Sequence, residues 1–343
     1  MDRRMFLKTT AQVAAVASTA RIVGRAAAAA PDQLTLAAVG DCILSRRVSE
    51  LKDPDFLALV DLLRGSDGVW GNCETVLADP RQVYPAPKGG DPHCIADPWA
   101  ADEFRFLGLR LMGTANNHTL DYANEGLFST LENLDRVGIA HAGAGLDLAQ
   151  AARPGVFDSA AGRIADVNCA STFADYFAAG PAHPYLRGRP GLNPLHVDHT
   201  VQVGRDLFAR LKEAAARLEE LDTDPQLQGS LIERPPDPKA TETLAFEDMT
   251  FRLGDRVERL SAARKPDIER ITAAIRTARH GARLVIASIH AHEKGHRIED
   301  PDPFLPLFAR ACIDAGADLF VGAGPHVLRP VDIYKGKPIF YSL

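Results

Sequence analysis

Beyond residue 30 the sequence has no apolar run of bilayer length, no Cys-x-x-Cys pair, no excess of positive charge and no internal repeat. A membrane-spanning helix needs about 20 consecutive apolar residues, so the body of the chain is not read as spanning a bilayer. The five cysteines (42, 73, 94, 169 and 312) are scattered and odd in number, which indicates no disulfide framework. Cys42 and Cys73 read best as small buried hydrophobes, although a bridge between them stays open. Residues 1–30 hold five basic side chains and one acidic one, so a whole-chain charge of −6 leaves −10 on the remainder. An acidic body of this kind excludes nucleic acid and anionic membrane as main partners. About 310 residues are left, enough for one large domain or two small ones.

The first thirty residues read as a targeting segment apart from the fold. They open with Arg3-Arg4 ahead of Phe6-Leu7-Lys8, pass through a mildly apolar Ala/Val/Thr stretch and end in the run Ala26–Ala30. That order resembles a twin-arginine export signal, an address read by a receptor and not an anchor. The expectation is an exported protein, periplasmic or extracytoplasmic, whose mature body begins near residue 31.

Strands and helices alternate along that body. Leu34–Val39 is a strand candidate running into Gly40-Asp41, residues 54–63 have helical spacing, and Gly68-Val-Trp70 leads into Asn72-Cys73-Glu74. Leu109–Met112 is followed by a helix over 124–137, with Leu127, Leu131, Leu134 and Val137 on one face, and Gly138-Ile-Ala-His reads as the next strand. The beat lapses from Ser171 to about Ala263, where a Gly/Pro/His-rich stretch, a charged helix (205–221) and a polar loop (222–240) read as an insertion. It resumes with a helix over 266–280, the strand 284–289, a helix over 303–315 and the strand 318–321. Such alternation predicts an α/β fold.

Five polar clusters each follow a predicted strand: Asp41; Asn72 and Glu74; Asn116, Asn117 and His118; His290, His292 and Glu293; and His326. The stretch GTANNHTLDYANEG (113–126) shows the choice each one poses, between a polar turn capping a helix and an active-site loop. Strand ends at a carboxyl edge are where α/β proteins build sites. Carboxylate, carboxamide and imidazole without cysteine favour a Mn, Fe, Zn or Mg centre, which can polarise a phosphoryl or acyl oxygen.

The order Gly40-Asp41, Asn72-x-Glu74, Ala115-Asn-Asn-His-x-x-Asp121, His290-x-x-Glu293 and Gly322-x-x-Pro-His326-Val resembles the bacterial capsule-biosynthesis CapA family, also called the poly-γ-glutamate synthesis family. The ending Val331–Leu343 is of the family's type, and the resemblance covers roughly residues 34–343. It implies a calcineurin-like metallophosphoesterase fold: a four-layer αββα sandwich, one domain over 31–343 with the insertion at about 171–263. It also implies Asp41, Glu74, Asn117, His290 and His326 as metal ligands, with Asn116, His292 and Glu293 as additional candidates. His118 is implied as the catalytic acid/base, oriented by Asp121.

The sequence departs from the pattern in places. Ile43 stands where a full first motif has histidine, Ala323 and Gly324 replace the histidines before the final Pro-His, and His292 occupies a usual glycine position. Family members continue past Leu343 into Gly-Asn-Phe, so a truncated C-terminus is expected. Two functions stay open at this point. One is an exported metal-dependent hydrolase of an amide or phosphoester in capsule, poly-γ-glutamate or cell-envelope metabolism; the other is a non-catalytic polymer-export or scaffolding protein that keeps the fold and part of the metal set. A polyanionic polymer would need a local basic patch, for which Arg46, Arg47, Arg163, Arg187 and Arg189 are candidates, although solvated surface charge is the better reading of them.

Overall fold

The computed structural model describes residues 33–87, 92–221 and 242–343; the export signal read over 1–30 and the polar loop 222–240 lie outside the described residues. Two sheets face each other. The first is wholly parallel, in the order Leu36–Asp41, Gly68–Asn72, Leu111–Gly113, Ala140–Ala142. The second has six strands in the order Val331–Tyr334, Lys337–Phe340, Leu319–Ala323, Leu284–His290, Gly162–Ala170, Gly155–Ser159. Its four central strands are parallel and its two edge strands antiparallel.

Strand alternation sorts the side chains into layers. Leu36, Ala38, Trp70 and Leu111 of the first sheet meet Ile164, Ile286, Leu319 and Val321 of the second in one apolar cluster between them. The opposite faces go outward. Val69 and Met112 pack under the helix Trp99–Leu107, and Val167, Val285, Ala287 and Phe320 pack under the helices Lys265–Arg279 and Phe304–Asp314. Burying both faces of each sheet explains the nearly continuous apolar strands. The result is the four-layer αββα sandwich.

Helix ends follow from local chemistry. Asp53 accepts a hydrogen bond from Phe56 N (2.9 Å) to cap Pro54–Arg64, with Pro54 at the first turn where no amide is missed. Gly108, at φ 101°, closes Trp99–Leu107 in the left-handed region that favours glycine. The insertion makes a sheet of its own: Thr243–Phe246, Met249–Leu253, Val197–Val203 and Glu258–Ala263, beside the helix Arg205–Leu221. Among the described residues no helix is long and apolar enough to cross a membrane.

Near the carboxyl ends of the strands the layer between the sheets turns polar. Trp70 Nε1 donates to Asp166 Oδ2 (2.9 Å), the Ser288 hydroxyl donates to Asp166 Oδ1 (2.8 Å), and Asn168 Nδ2 donates to Ser288 Oγ (2.9 Å). Asn168 Oδ1 accepts from Ala115 N (2.7 Å), fixing the start of the Asn-Asn-His loop. Gly113 and Gly143 make room for this carboxamide, since a Cβ at either would collide with it.

Asp166 is fully buried, and burial pushes its carboxyl up to about 7 against the lowering pull of Trp70 and Ser288. A folded-state pKa above the unfolded one favours the protonated form. The contribution is therefore complete below about pH 4 and is lost as pH rises through about 7. Asp166→Asn should remove that component, on the order of 2–4 kcal/mol, from the loss of stability between pH 5 and 8 measured by chemical denaturation. Parallel stability–pH curves for the two proteins would contradict it.

Candidate metal centre

The polar side chains collect at the carboxyl edge of both sheets, each delivered by a specific feature of its strand. In the first sheet Ala38 pairs with Trp70, but Asp41, not Gly40, pairs with Asn72. That one-residue bulge shifts the alternation, so Asp41 turns inward where a regular strand would turn it toward the helices. Asn72 and His290 arrive inward without a bulge, on the same parity as Trp70 and as Ile286 and Ser288. Glu74 lies two residues beyond its strand. His292 follows the strand ending at His290, and His326 sits at φ 54° beyond Leu319–Ala323, a strained conformation for a residue with a Cβ.

Two groups share Glu74, namely Asp41 with Glu74 and His290, and Glu74 with His292 and His326; a third, Cys94 with His118 and Asp121, stands beside them. Glu74 Oε1 is 3.5 Å from His290 Nε2 and 3.9 Å from His118 Nε2. His290 Nδ1 is 3.7 Å from Asp41 Oδ1, and His326 Nδ1 is 3.2 Å from Asp41 Oδ2. Asp41 also accepts from Asn72 Nδ2 (2.8 Å) and Gly324 N (3.1 Å). His290 and His292 approach through their Nε2 atoms at 2.9 Å. Asp41, Glu74 and His290 are almost wholly covered, whereas His326 is exposed and opens the cluster to solvent.

The electrostatics are those of a site short of positive charge. Burial and the neighbouring Asp41 push the Glu74 carboxyl up to about 9, and Glu74 Oε2 is buried with no hydrogen-bond partner among the described residues. Burial would also raise Asp41, but the nearby His290 imidazole and the hydrogen bond from Asn72 outweigh it and hold the carboxyl at about 2. His292 is depressed to about 3 by burial and by the imidazoles on either side. A buried oxygen without a donor, two adjacent carboxylates and three converging imidazoles fit a divalent cation of the oxygen–nitrogen class.

The remaining candidates separate. His118 Nδ1 is 2.6 Å from Asp121 Oδ2, and Asp121, fully buried, also accepts from Cys94 N (2.7 Å). Burial lowers the His118 pKa, but Asp121 and the nearby Cys94 more than reverse this and pull it up to about 9. Asn117 is buried on the same loop. Asn116 faces the protein: its Nδ2 donates to Cys73 O (2.8 Å) and its Oδ1 accepts from His118 N (3.0 Å), a loop-bracing role. Glu293 accepts from Ser171 Oγ (2.8 Å) and Thr172 Oγ1 (2.9 Å) and lies in none of these groups. Gly324 is at φ 121° with His292 Cδ2 3.2 Å from where its Cβ would stand, so His292 fills space a larger residue would take. All five cysteines are free thiols, so Cys42 and Cys73 form no bridge. Arg47 pairs with Glu103, Arg163 with Asp158, and Arg189 donates to Ala178 O, which occupies three of the five candidate arginines elsewhere. Asn72, already singled out in the second cluster, completes the surroundings together with Asp166, Asn168 and Ser288, which announce themselves only as polar residues at alternate positions of buried strands.

A cleft of about 560 Å³ beside Phe128, Leu131, His141 and Leu146 shares no residue with this cluster. Converging ligands, not volume, mark the strand-end cluster as the site.

The model of the bacterial capsule synthesis protein family PGA_cap matches residues 35–343. A Sinorhizobium fredii protein, y4sH, is 35% identical over 324 residues, covering 94% of this chain and 68% of its own length. The capsule biosynthesis protein CapA of Bacillus anthracis is 25% identical over 345 residues (96% of this chain, 65% of that protein). The PGA biosynthesis protein CapA of Bacillus subtilis is 24% identical over 318 residues (91% and 62%).

If Glu74 is a strained buried carboxylate awaiting a cation, Glu74→Gln should be at least as stable as the parent protein in chelator. Added Mn²⁺ or Zn²⁺ should then raise the parent's melting temperature, by about 2.7 kcal/mol of stability at a hundredfold excess over Kd, and barely move the variant's. Equal metal-induced rises, with the variant the weaker in chelator, would contradict this.

Proposed function

The chain belongs to the PGA_cap family of bacterial capsule synthesis proteins, and from that premise we propose that it is an exported metal-dependent hydrolase cleaving an amide or phosphoester linkage in capsule, poly-γ-glutamate or cell-envelope metabolism. The observation that carries the proposal is the Glu74 carboxylate, shared by two ligand groups with one oxygen buried and unpartnered. Asp41, Glu74, Asn117, His290 and His326 would hold the metal, and His292 stands where it can add a ligand. A divalent cation there supplies Lewis acidity toward a phosphoryl or acyl oxygen.

The protein's own groups supply the rest. Asp41, which keeps its charge, repels an anionic substrate until a cation offsets it, which ties substrate binding to metal loading. His118 holds a proton at Nε2 near neutral pH, and Asp121 fixes the ring by accepting from Nδ1. That proton is available to a departing amine or alkoxide. Buried Asn116 and the Asn168–Ala115 hydrogen bond keep the loop in place, so the imidazole is positioned before substrate arrives. The solvent-facing side at His326 admits the substrate.

The non-catalytic scaffold reading draws on Ile43, Ala323 and Gly324 standing at histidine positions. His292, packed against Gly324 and within the Glu74–His326 group, favours the hydrolase.

A screen of phosphodiesters, γ-glutamyl amides and small peptides with each candidate metal supplies a substrate. On it, His118→Asn should lower turnover by about 10²–10⁴-fold with metal content unchanged. Asp121→Asn should have a milder effect, because the ring stays but loses its anchor. Full turnover by His118→Asn on any accepted substrate would remove His118 from the mechanism.

A further inference from the structure

One group near the cluster has no part in that chemistry. Cys94 Sγ lies 3.7 Å from His118 Nε2, on the ring whose Nδ1 is 2.6 Å from Asp121 Oδ2. The main chain locks the three together: Cys94 N donates to the same Asp121 oxygen (2.7 Å), and Cys94 O accepts from Val76 N (3.1 Å). The short parallel strands Val76–Leu77 and Ile95–Ala96 continue that pairing and tie Cys94 to the Glu74 segment. Cys94 is half-buried, whereas Cys73, Cys169 and Cys312 are buried. The contrast with the other thiols is sharp. Cys42, Cys73 and Cys169 point at the main-chain oxygens of Gly40, Thr75 and Ser288, and Cys312 is buried among the apolar residues under the second sheet.

A nucleophile within reach of an imidazole that a buried carboxylate orients is the arrangement of covalent acyl-transfer sites. We propose that Cys94, His118 and Asp121 form a thiol–imidazole–carboxylate triad, with Cys94 as a nucleophile toward carboxylic esters or amides. It goes beyond the metal-dependent reading because the sulfur itself makes the bond. The pair shares one proton between Sγ and Nε2. With that proton on Nε2, a sulfur lone pair attacks the acyl carbon, the C–S bond forms and the C–O or C–N bond breaks. The Nε2 proton follows the leaving alkoxide or amine, and water later hydrolyses the thioester to a carboxylic acid and free thiol. Glu74 Oε1, 3.9 Å from Nε2 on the same edge of the ring, places this chemistry beside the metal cluster.

The test uses the purified full chain with p-nitrophenyl acetate in EDTA, so that a metal-dependent route is silent and the outcome is independent of the hydrolase proposal. Nitrophenolate release should show a burst, and mass mapping should place an acetyl group on Cys94. Cys94 should acylate about tenfold or more faster than N-acetylcysteine at the same pH, despite being half-buried. Cys94→Ser should abolish the burst, and His118→Asn or Asp121→Asn, checked for retained fold by circular dichroism, should slow acylation of Cys94. Acylation no faster than N-acetylcysteine, or unchanged in a folded His118→Asn protein, would overturn the proposal.

Discussion

The site depends on the proximity of two carboxylates, Asp41 and Glu74, whose side chains are almost wholly covered. Two such groups cannot both ionise cheaply without a counter-charge, and the protein resolves the pair unequally. Asp41 receives hydrogen bonds from Asn72 and Gly324 and keeps its charge, while Glu74 is pushed toward its protonated form with one oxygen left bare. Three imidazoles surround the pair, and their own burial works against protonation of His290 and His292. A divalent cation would answer both deficits at once by supplying the missing charge and drawing on the imidazole nitrogens.

That pair exists because the sandwich brings two parallel edges together. The bulge before Asp41 turns one carboxylate inward, the strand ending at His290 supplies an imidazole from the facing sheet, and Asn72 reaches both across the gap through Asp41 Oδ1 (2.8 Å) and His290 Nδ1 (3.1 Å). Beneath them the Trp70–Asp166 and Asn168–Ala115 hydrogen bonds tie sheet to sheet where apolar contact alone would permit sliding, and Ser288 links Asp166 to Asn168 within the second sheet. A buried network of this kind costs stability when incomplete and rigidifies when satisfied. Its upper end, Asn168 to Ala115, is the support of the loop that carries His118.

Much of this was legible from residue order. The helices at 54–63, 124–137, 205–221, 266–280 and 303–315 fall within a residue or so of the observed ones because their apolar residues recur at helical spacing. The strand-end clusters pointed to one edge, and the family resemblance supplied the second sheet that alternation alone does not reveal. What escaped has physical reasons. The antiparallel pair Gly155–Ser159 and Gly162–Ala170 puts Asp166 and Asn168 into a strand whose polar residues look like loop signals until a partner sheet covers them. The insertion's strands mix Thr, Arg and Gln with few buried positions, so they read as irregular. The bulge that aims Asp41, the inward turn of Asn116, the diversion of Glu293 to Ser171 and Thr172, and the meeting of Cys94 with His118 are all tertiary facts. Sequence spacing carries no trace of them.

The central claim is that Glu74 is the shared ligand of a metal centre. Anomalous diffraction from crystals grown with Mn²⁺, recorded above and below the metal's absorption edge, tests it most directly. The account predicts an anomalous peak at about 2.0–2.3 Å from a Glu74 carboxylate oxygen, with imidazole nitrogens of His290, His292 or His326 completing the coordination. A map with metal bound elsewhere and none at Glu74, or with Glu74 hydrogen-bonded to His118 and no anomalous signal between the histidines, would contradict it.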